Sequence, residues 1–458
     1  MHFYRLIIFL IFVMSFINYS TSQQQEYSST ITVPRQVRAG YWFSSSGRYS
    51  PLTGIDVSLY THLYYYSVSL DPADSSIALP PPEQLPLLTT FSTTLKTGNS
   101  SVKTLLSVAT DNHQVNELNT AFSAMVGDPA RRSAFIASTI EFARAHFFDG
   151  LDLAWQFPSS SSDMANLGIL LEEWRASISN EAGNSLSALL LTATVYFSDH
   201  LFEGPENNLD YPIDAISRNL DWINVLCFGY HKNSMVAAAD AALIDKTSHS
   251  STSYSIGSWL DSGVSSSKVV MGIPLYGRSW YLKNKEKNGL GAQVVATGPR
   301  QKLSNQSGVM AYFEIEKILK EASSTLVYDN QTVSTYLHNG GLWVSFDSPE
   351  VVEEKIKFAR NKGLLGYFLY PVSFDNSNHK LSKQALDAWE RYHYLETSNE
   401  DGRYGEAPSP DETSALDQAS NQSADLSNSL TCFPTINTFI MCFLLPMFLL
   451  LYFALIMV

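Results

Sequence analysis

Eight short apolar runs recur between residues 35 and 395: Val37–Phe43, His62–Val68, Val102–Val108, Phe148–Leu153, Ala188–Tyr196, Trp222–Phe228, Val269–Ile273 and Leu364–Tyr370. Most are followed by a longer stretch with apolar residues at helical spacing. Runs of this length read as strands buried on both faces, and helical crossovers between them make neighbouring strands parallel. The pattern predicts an α/β fold, a (β/α)8 TIM barrel, with a doubly wound open sheet as the alternative. The gap between the seventh and eighth runs is too long for one loop, so residues 281–345 are expected to form a small α+β insertion.

Local signals agree with this frame. Ala130–Ala145 has helical periodicity, and a further helix is expected after Ser159–Ser162, with Asp163 as its N-cap. The clearest helix is Pro349–Lys362. Ser348 caps it, Pro349 takes the first turn and Gly363 ends it.

The two ends read as processing signals. Residues 1–22 have Arg5, an apolar stretch and then Ser20-Thr21-Ser22, the pattern of a cleaved secretory leader. Residues 399–431 are acidic and Ser-rich, a stalk, and 438–458 are apolar. Small residues upstream of that tail match a glycolipid (GPI) anchor signal, and a C-terminal membrane span is the other reading. Either would hold the folded part at the membrane, facing outside the cell. Four glycosylation triplets start at Asn99, Asn305, Asn330 and Asn421. The net charge of −14 and the absence of Lys/Arg runs argue against nucleic acid as a partner. Of three cysteines, only Cys227 lies in the main domain, so no internal disulfide is expected there.

In a barrel of this kind chemistry sits at the C-terminal ends of the strands. Those ends read Tyr41-Trp42, Ser107 to Thr110, Asp152 to Gln156, Phe228 to His231, Tyr276 to Arg278, and Tyr370. On the fourth run, alternation puts Asp152, Ala154 and Gln156 on one face: an acid, a methyl and a neutral amide. Asp152 would lie about 13 Å down the strand from Gln156. No metal-ligand pair, nucleophile elbow or phosphate loop is present, and no cofactor is implied.

These strand ends resemble glycoside hydrolase family 18, in particular the plant class V chitinases. The likeness spans about residues 35–395: AGYW at Ala39–Trp42, THLYYY at Thr61–Tyr66, FDGLDLAWQFP at Phe148–Pro158, LDWINVLCFGYH at Leu220–His231, MGIPLYGRSW at Met271–Trp280 and GLLGYFLYP at Gly363–Pro371. The resemblance implies a catalytic Asp-Gly-x-Asp-x-Asp-x-Glu strand. Its Glu protonates the glycosidic oxygen, and the Asp two residues earlier holds the substrate's acetamido group. Residue by residue, the Glu position is Gln156 and the orienting Asp position is Ala154; Asp149, Gly150 and Asp152 match. The family's sixth-strand Tyr-Asp reads Phe228-Gly229, its third-strand Ser-x-Gly-Gly reads Ser107 to Thr110, and its eighth-strand Trp reads Tyr370.

An amide cannot supply a proton, so efficient hydrolysis is not expected. The first functional expectation is a surface-displayed binder of chitin fragments or N-acetylglucosamine glycans, contacting them through Tyr41, Asp149, Asp152, Trp155, Gln156, Tyr230 and Tyr370. Trp42 and Trp155 read equally well as core; Asp149 and Asp152 read better as structural acids hydrogen-bonded to strand neighbours, and His231 as a satisfied polar residue. The second expectation is a protein-binding module, either an inhibitor of another glycosidase or a co-receptor, because the resemblance extends to acid-lacking outer domains of receptor-like kinases. The third is a weak residual chitinase.

Overall fold

A computed structural model describes residues 36–400, apart from 48, 111–114, 184–185, 203–208, 232–233 and 303. The leader 1–22, the tail 438–458, the stalk beyond residue 400 and the Asn421 triplet lie outside the described residues. Among the described residues no helix is long and apolar enough to cross a membrane. Barrel and insertion lie in one compact unit that ends at Tyr392, and a second unit begins at His393.

The eight apolar runs become the parallel strands β1 (Val37–Phe43), β2 (His62–Leu70), β3 (Lys103–Ala109), β4 (Gly150–Ala154), β5 (Leu190–Val195), β6 (Trp222–Val225), β7 (Val269–Pro274) and β8 (Gly366–Tyr370). Each pairs with its sequence neighbours, and β8 pairs in parallel with β1, so the sheet closes and the open-sheet alternative is excluded. Closure is tight at Gly366. A Cβ there would stand 1.8 Å from the Val37 carbonyl oxygen, so only glycine lets β8 reach β1.

Helices α1 (Leu85–Gly98), α2 (Val115–Gly127), α3 (Pro129–Ala145), α4 (Ser161–Ala182), α5 (Ile213–Asn219) and α6 (Thr252–Asp261) form the crossovers up to β7. The insertion carries α7 (Tyr312–Leu319), α8 (Pro349–Asn361) leads into β8, and α9 spans Lys380–Glu400. Ser348 caps α8 as the sequence indicated, its hydroxyl accepting from the Val351 N–H. For α4 the cap is Ser160 rather than Asp163. The Asp163 N–H donates to Ser160 Oγ, while the Asp163 carboxylate turns back to accept from Ser159 and Ser123.

Outward-facing strand residues pack under the helices. Trp42, for example, is buried against Tyr65 and Phe91 and donates its indole N–H to the Ser50 carbonyl. Inward-facing residues make a second, separate cluster that fills the barrel. The insertion is an antiparallel sheet in the order Val294–Thr297, Tyr276–Leu282, Leu342–Phe346, Ser334–Asn339, Ser324–Asp329, with Val309–Ala311 also paired to Tyr276–Leu282. It therefore begins at Tyr276, not at 281: the segment that reads as a strand end pairs with Leu342–Phe346.

Candidate active site

The register of the strands builds the barrel interior in levels. Ser107, Asp152 and Thr192 are direct partners across β3, β4 and β5, so their side chains meet at one height. The Asp152 carboxylate is fully buried. It accepts from Ser107 Oγ and Thr192 Oγ1 at 2.7 Å, and from Tyr41 Oη and Thr194 Oγ1 at 3.2 Å. Asn224 ties the far side together. Its amide donates to the Tyr41 and Tyr64 hydroxyls, and its oxygen accepts from the Trp222 indole. Tyr41 and Tyr64 stack with centroids 4.2 Å apart. Burial raises the Asp152 pKa above the ordinary carboxyl range, although four hydroxyls pull it back.

This is a satisfied internal network rather than an exposed reagent. Asp152→Ala is expected to orphan several buried hydroxyls and cost at least about 2 kcal/mol. Urea unfolding of the variant checks this, and a loss below about 0.5 kcal/mol would contradict it.

One level toward the C-terminal mouth, Ala109 and Ala154 are register partners, and Ala154 lies fully buried in the same cluster as Tyr66, Phe228 and Phe368. Tyr370, half-buried, is the hub of an aromatic wall. Its ring lies 5.0 Å from Phe43, 5.3 Å from Phe228, 5.5 Å from Tyr41 and 5.8 Å from Tyr66. Burial, reinforced by Tyr66, holds its phenol well above the usual range, so it stays protonated.

Gln156 sits at the rim beyond β4, half-exposed. Its backbone N–H donates to Thr110 Oγ1, and no described residue hydrogen-bonds its side-chain amide. Two buried carboxylates sit near the strand ends. One is Asp152, below. The other is Asp240, buried, which accepts from Arg278 Nε at 3.1 Å and from the His231 backbone N–H at 2.7 Å. Burial lowers the His231 pKa, keeping its imidazole neutral at pH 7. Gly229 follows Phe228 with φ +81 and donates its N–H to the Asp240 carbonyl. A carboxylate-bearing residue at 229 would be strained in that conformation. Among the described residues no group of three His, Cys, Asp or Glu is placed to hold a metal ion.

Tyr41, Asp152, Gln156 and Tyr370 thus line or underlie one mouth, with Tyr41 and Asp152 as its floor rather than its surface. Two other candidate contacts lie elsewhere. Asp149 precedes β4 at the opposite end of the strand, where Lys96 (2.7 Å) and Lys103 (3.3 Å) pair with it and the Thr104 N–H donates to it. Burial opposes its ionisation, but these partners outweigh burial and hold its pKa below the ordinary value. Trp155 faces outward. It stacks on Phe122 of α2 and donates to Asn119 Oδ1, so the core reading of that residue holds. Tyr230 is half-buried, but its hydroxyl is turned to Ser255 of α6 and its ring meets Phe197 edge-on.

Several members of the site are not among the contacts expected from the sequence. Tyr64, Thr192, Thr194 and Asn224 are polar residues at inward parity in apolar runs, a signal that alternation alone could have flagged. Phe43 and Tyr66 are revealed as wall only by the register.

The model of the glycosyl hydrolases family 18 matches residues 37–375 of this chain. "Nod factor hydrolase protein 1" of Medicago truncatula is 38% identical over 363 residues, covering 77% of this chain and 90% of that protein. The structure of a class V chitinase from Nicotiana tobaccum, a Glu-to-Gln mutant in complex with NAG4, superposes with a TM-score of 0.72 at 38% identity, covering 77% of this chain and 99% of that one. A chitinase-like agglutinin from Robinia pseudoacacia superposes with a TM-score of 0.68 at 32% identity over the same shares. The closed parallel barrel, the family match across nearly all of it and relatives of this identity lead to one assignment: the chain belongs to glycosyl hydrolase family 18 and is related to the plant class V chitinases.

Proposed function

We propose that this family 18 protein binds N-acetylglucosamine oligosaccharides at the C-terminal mouth of its barrel without hydrolysing them efficiently. One observation carries the reading. The β4 positions nearest the mouth present Ala154 and Gln156, while the strand's one inward carboxylate, Asp152, is sealed in a hydrogen-bond network below. Gln156 donates and accepts hydrogen bonds but has no proton to give to a leaving oxygen. Ala154 offers a methyl where the family motif has an acetamido-orienting carboxylate.

Two relatives support retained binding. The tobacco chitinase holds NAG4 with a glutamate replaced by glutamine, and the Robinia relative is an agglutinin. The wall around Tyr370 supplies the flat apolar faces on which sugar rings stack. Titration calorimetry with chitotetraose tests the reading: no heat at millimolar ligand would remove it and leave the protein-binding module in its place.

Tyr370→Ala is expected to weaken chitotetraose binding about tenfold, through loss of stacking, while Tyr370→Phe keeps it within about twofold. Equal affinity in all three proteins would take Tyr370 out of the cleft.

We further propose that the chain enters the secretory route and is displayed outside the cell on a GPI anchor formed at its apolar tail; leader 1–22 and tail 438–458 support this. Release of the protein from cell surfaces by a phosphatidylinositol-specific phospholipase C tests it, and retention on the membrane would favour a span.

A further inference from the structure

The insertion sheet ends in an edge strand, Ser324–Asp329, paired on one side only, with Ser334–Asn339. Edge strands in soluble proteins are usually protected by charge, proline or a bulge. This one reads Ser-Thr-Leu-Val-Tyr-Asp, with neither Lys nor Pro. Its outer face carries Leu326, 53% exposed, and Tyr328, 41% exposed. The hairpin that follows contains Asn330-Gln331-Thr332, with Asn330 exposed at its tip. The turn is well held: Asp329 Oδ1 accepts from the Gln331 and Thr332 N–H groups and from the Thr332 hydroxyl. Tyr328 is exposed near the end of the strand and Asn330 is exposed two residues on, as the first residue of the turn, so a sugar attached to Asn330 is within reach of the Tyr328 ring.

We propose that Asn330 carries an N-linked glycan whose first N-acetylglucosamine stacks on Tyr328 and shields Leu326, covering the exposed face of the edge strand. In the attachment step Asn330 Nδ2 forms the bond to the anomeric carbon of a polyprenyl-diphosphate-linked oligosaccharide. The polyprenyl diphosphate leaves with the electron pair, and the amide loses one proton. Of the four triplets, only this one has an aromatic residue two positions before its Asn; the others have Thr97, Leu303 and Ala419 there. Asn99 is less available, since its Oδ1 accepts from the Ser101 N–H and its side chain is half-buried. A sugar's C–H face on Tyr328 removes apolar surface from water and leaves the polar rim of the glycan to solvent. The occupant is covalent and hydrophilic, so it also keeps a second sheet edge from pairing here.

The inference rests on the reading that the chain enters the secretory route, and the test separates the two. The full chain is expressed in a glycosylating eukaryotic host, and site occupancy is read by mass spectrometry after endoglycosidase trimming to one N-acetylglucosamine. Thermal unfolding is then compared for wild type, Asn330→Gln, Tyr328→Ser and the double variant. The expected result is high occupancy at Asn330 and a Tm about 2 °C lower in Asn330→Gln. That difference should vanish in the Tyr328→Ser background. An unoccupied Asn330 beside an occupied Asn99 or Asn305 overturns the proposal alone. No occupancy at any triplet overturns it together with the secretory reading. An equal Tm difference with and without Tyr328 overturns the stacking.

Discussion

Wild-type protein incubated with chitotetraose should leave it essentially uncut over hours, the Gln156→Glu variant should cleave it about 10²–10⁴-fold faster, and the Ala154→Asp/Gln156→Glu variant faster still. The factor comes from the proton donor. Glu at 156 restores a group that ionises, and its half-exposed rim position places it where a leaving oxygen can be reached. Glu at 156 alone should fall short of the double variant by a further ~10²–10³, because nothing yet orients the acetamido group or meets the developing charge. Asp at 154 enters a buried aromatic cluster about 7 Å above Asp152, so burial and the like charge both favour its protonated form. That is a stability cost the variant must carry, and calorimetry should show the fold intact before rates are compared. Gly229 is left unchanged because its φ of +81 would strain an aspartate. Wild-type turnover within tenfold of the double variant would end the claim that Gln156 and Ala154 disable the site. If the double variant binds chitotetraose yet gains no activity, the block lies in the Phe228-Gly229 reshaping of the sixth strand end.

The barrel was legible because its strands are buried on both faces. Each therefore shows up as an uninterrupted apolar run, and β1 was found with its observed bounds, Val37–Phe43. What one chain's pattern does not contain is register across strands. Asp152 stands out as the one acid of its run at inward parity, but the fact that Ser107, Thr192, Thr194 and Tyr41 converge on it follows from β3 and β5 flanking β4 and from Tyr41 of β1 reaching across the barrel interior. Parity was available and would have corrected two assignments. Residues 149 and 155 are out of phase with 152, 154 and 156, and Asp149 also precedes the strand at the wrong end of the barrel. Motif membership brings Asp149 into the candidate site and an aromatic ring brings Trp155, whereas period-two geometry sends Trp155 to α2 and leaves Asp149 to the lysines. The start of the insertion is obscure in the sequence for a related reason: Tyr276–Leu282 follows directly on β7, and its antiparallel partners Leu342–Phe346, Val294–Thr297 and Val309–Ala311 show that the chain has left the barrel.

The largest stability effect is expected at a pair of charges remote from any ligand. Lys355 of α8 and Asp347, which directly precedes the Ser348 cap, are both almost completely buried and meet at 2.5 Å. The mutual attraction of the two ions offsets part of the cost of taking them out of water, and removing one partner leaves the other charge buried and unpaired. Lys355→Met should therefore lower stability by about 3–5 kcal/mol at pH 7. The double variant Lys355→Met/Asp347→Leu should recover most of that loss, since a packed apolar pair needs no solvation. The pH dependence distinguishes this account from a simple packing defect. Burial already raises the Asp347 pKa in the wild-type fold, against the pull of Lys355, and nearby Asp240 adds to the rise. Without the ammonium the folded-state value rises further, while the unfolded chain stays near ~3.9. A carboxyl whose folded pKa exceeds its unfolded one favours the fold at low pH and loses that contribution as pH climbs through the folded value. The deficit of Lys355→Met should thus shrink steadily as pH falls from 7 toward 4.5. Urea unfolding of wild type and variant at both pH values measures it. A deficit independent of pH, or one below about 1 kcal/mol at pH 7, would mean that water reaches Asp347 and that the pair is no buried ion pair in solution.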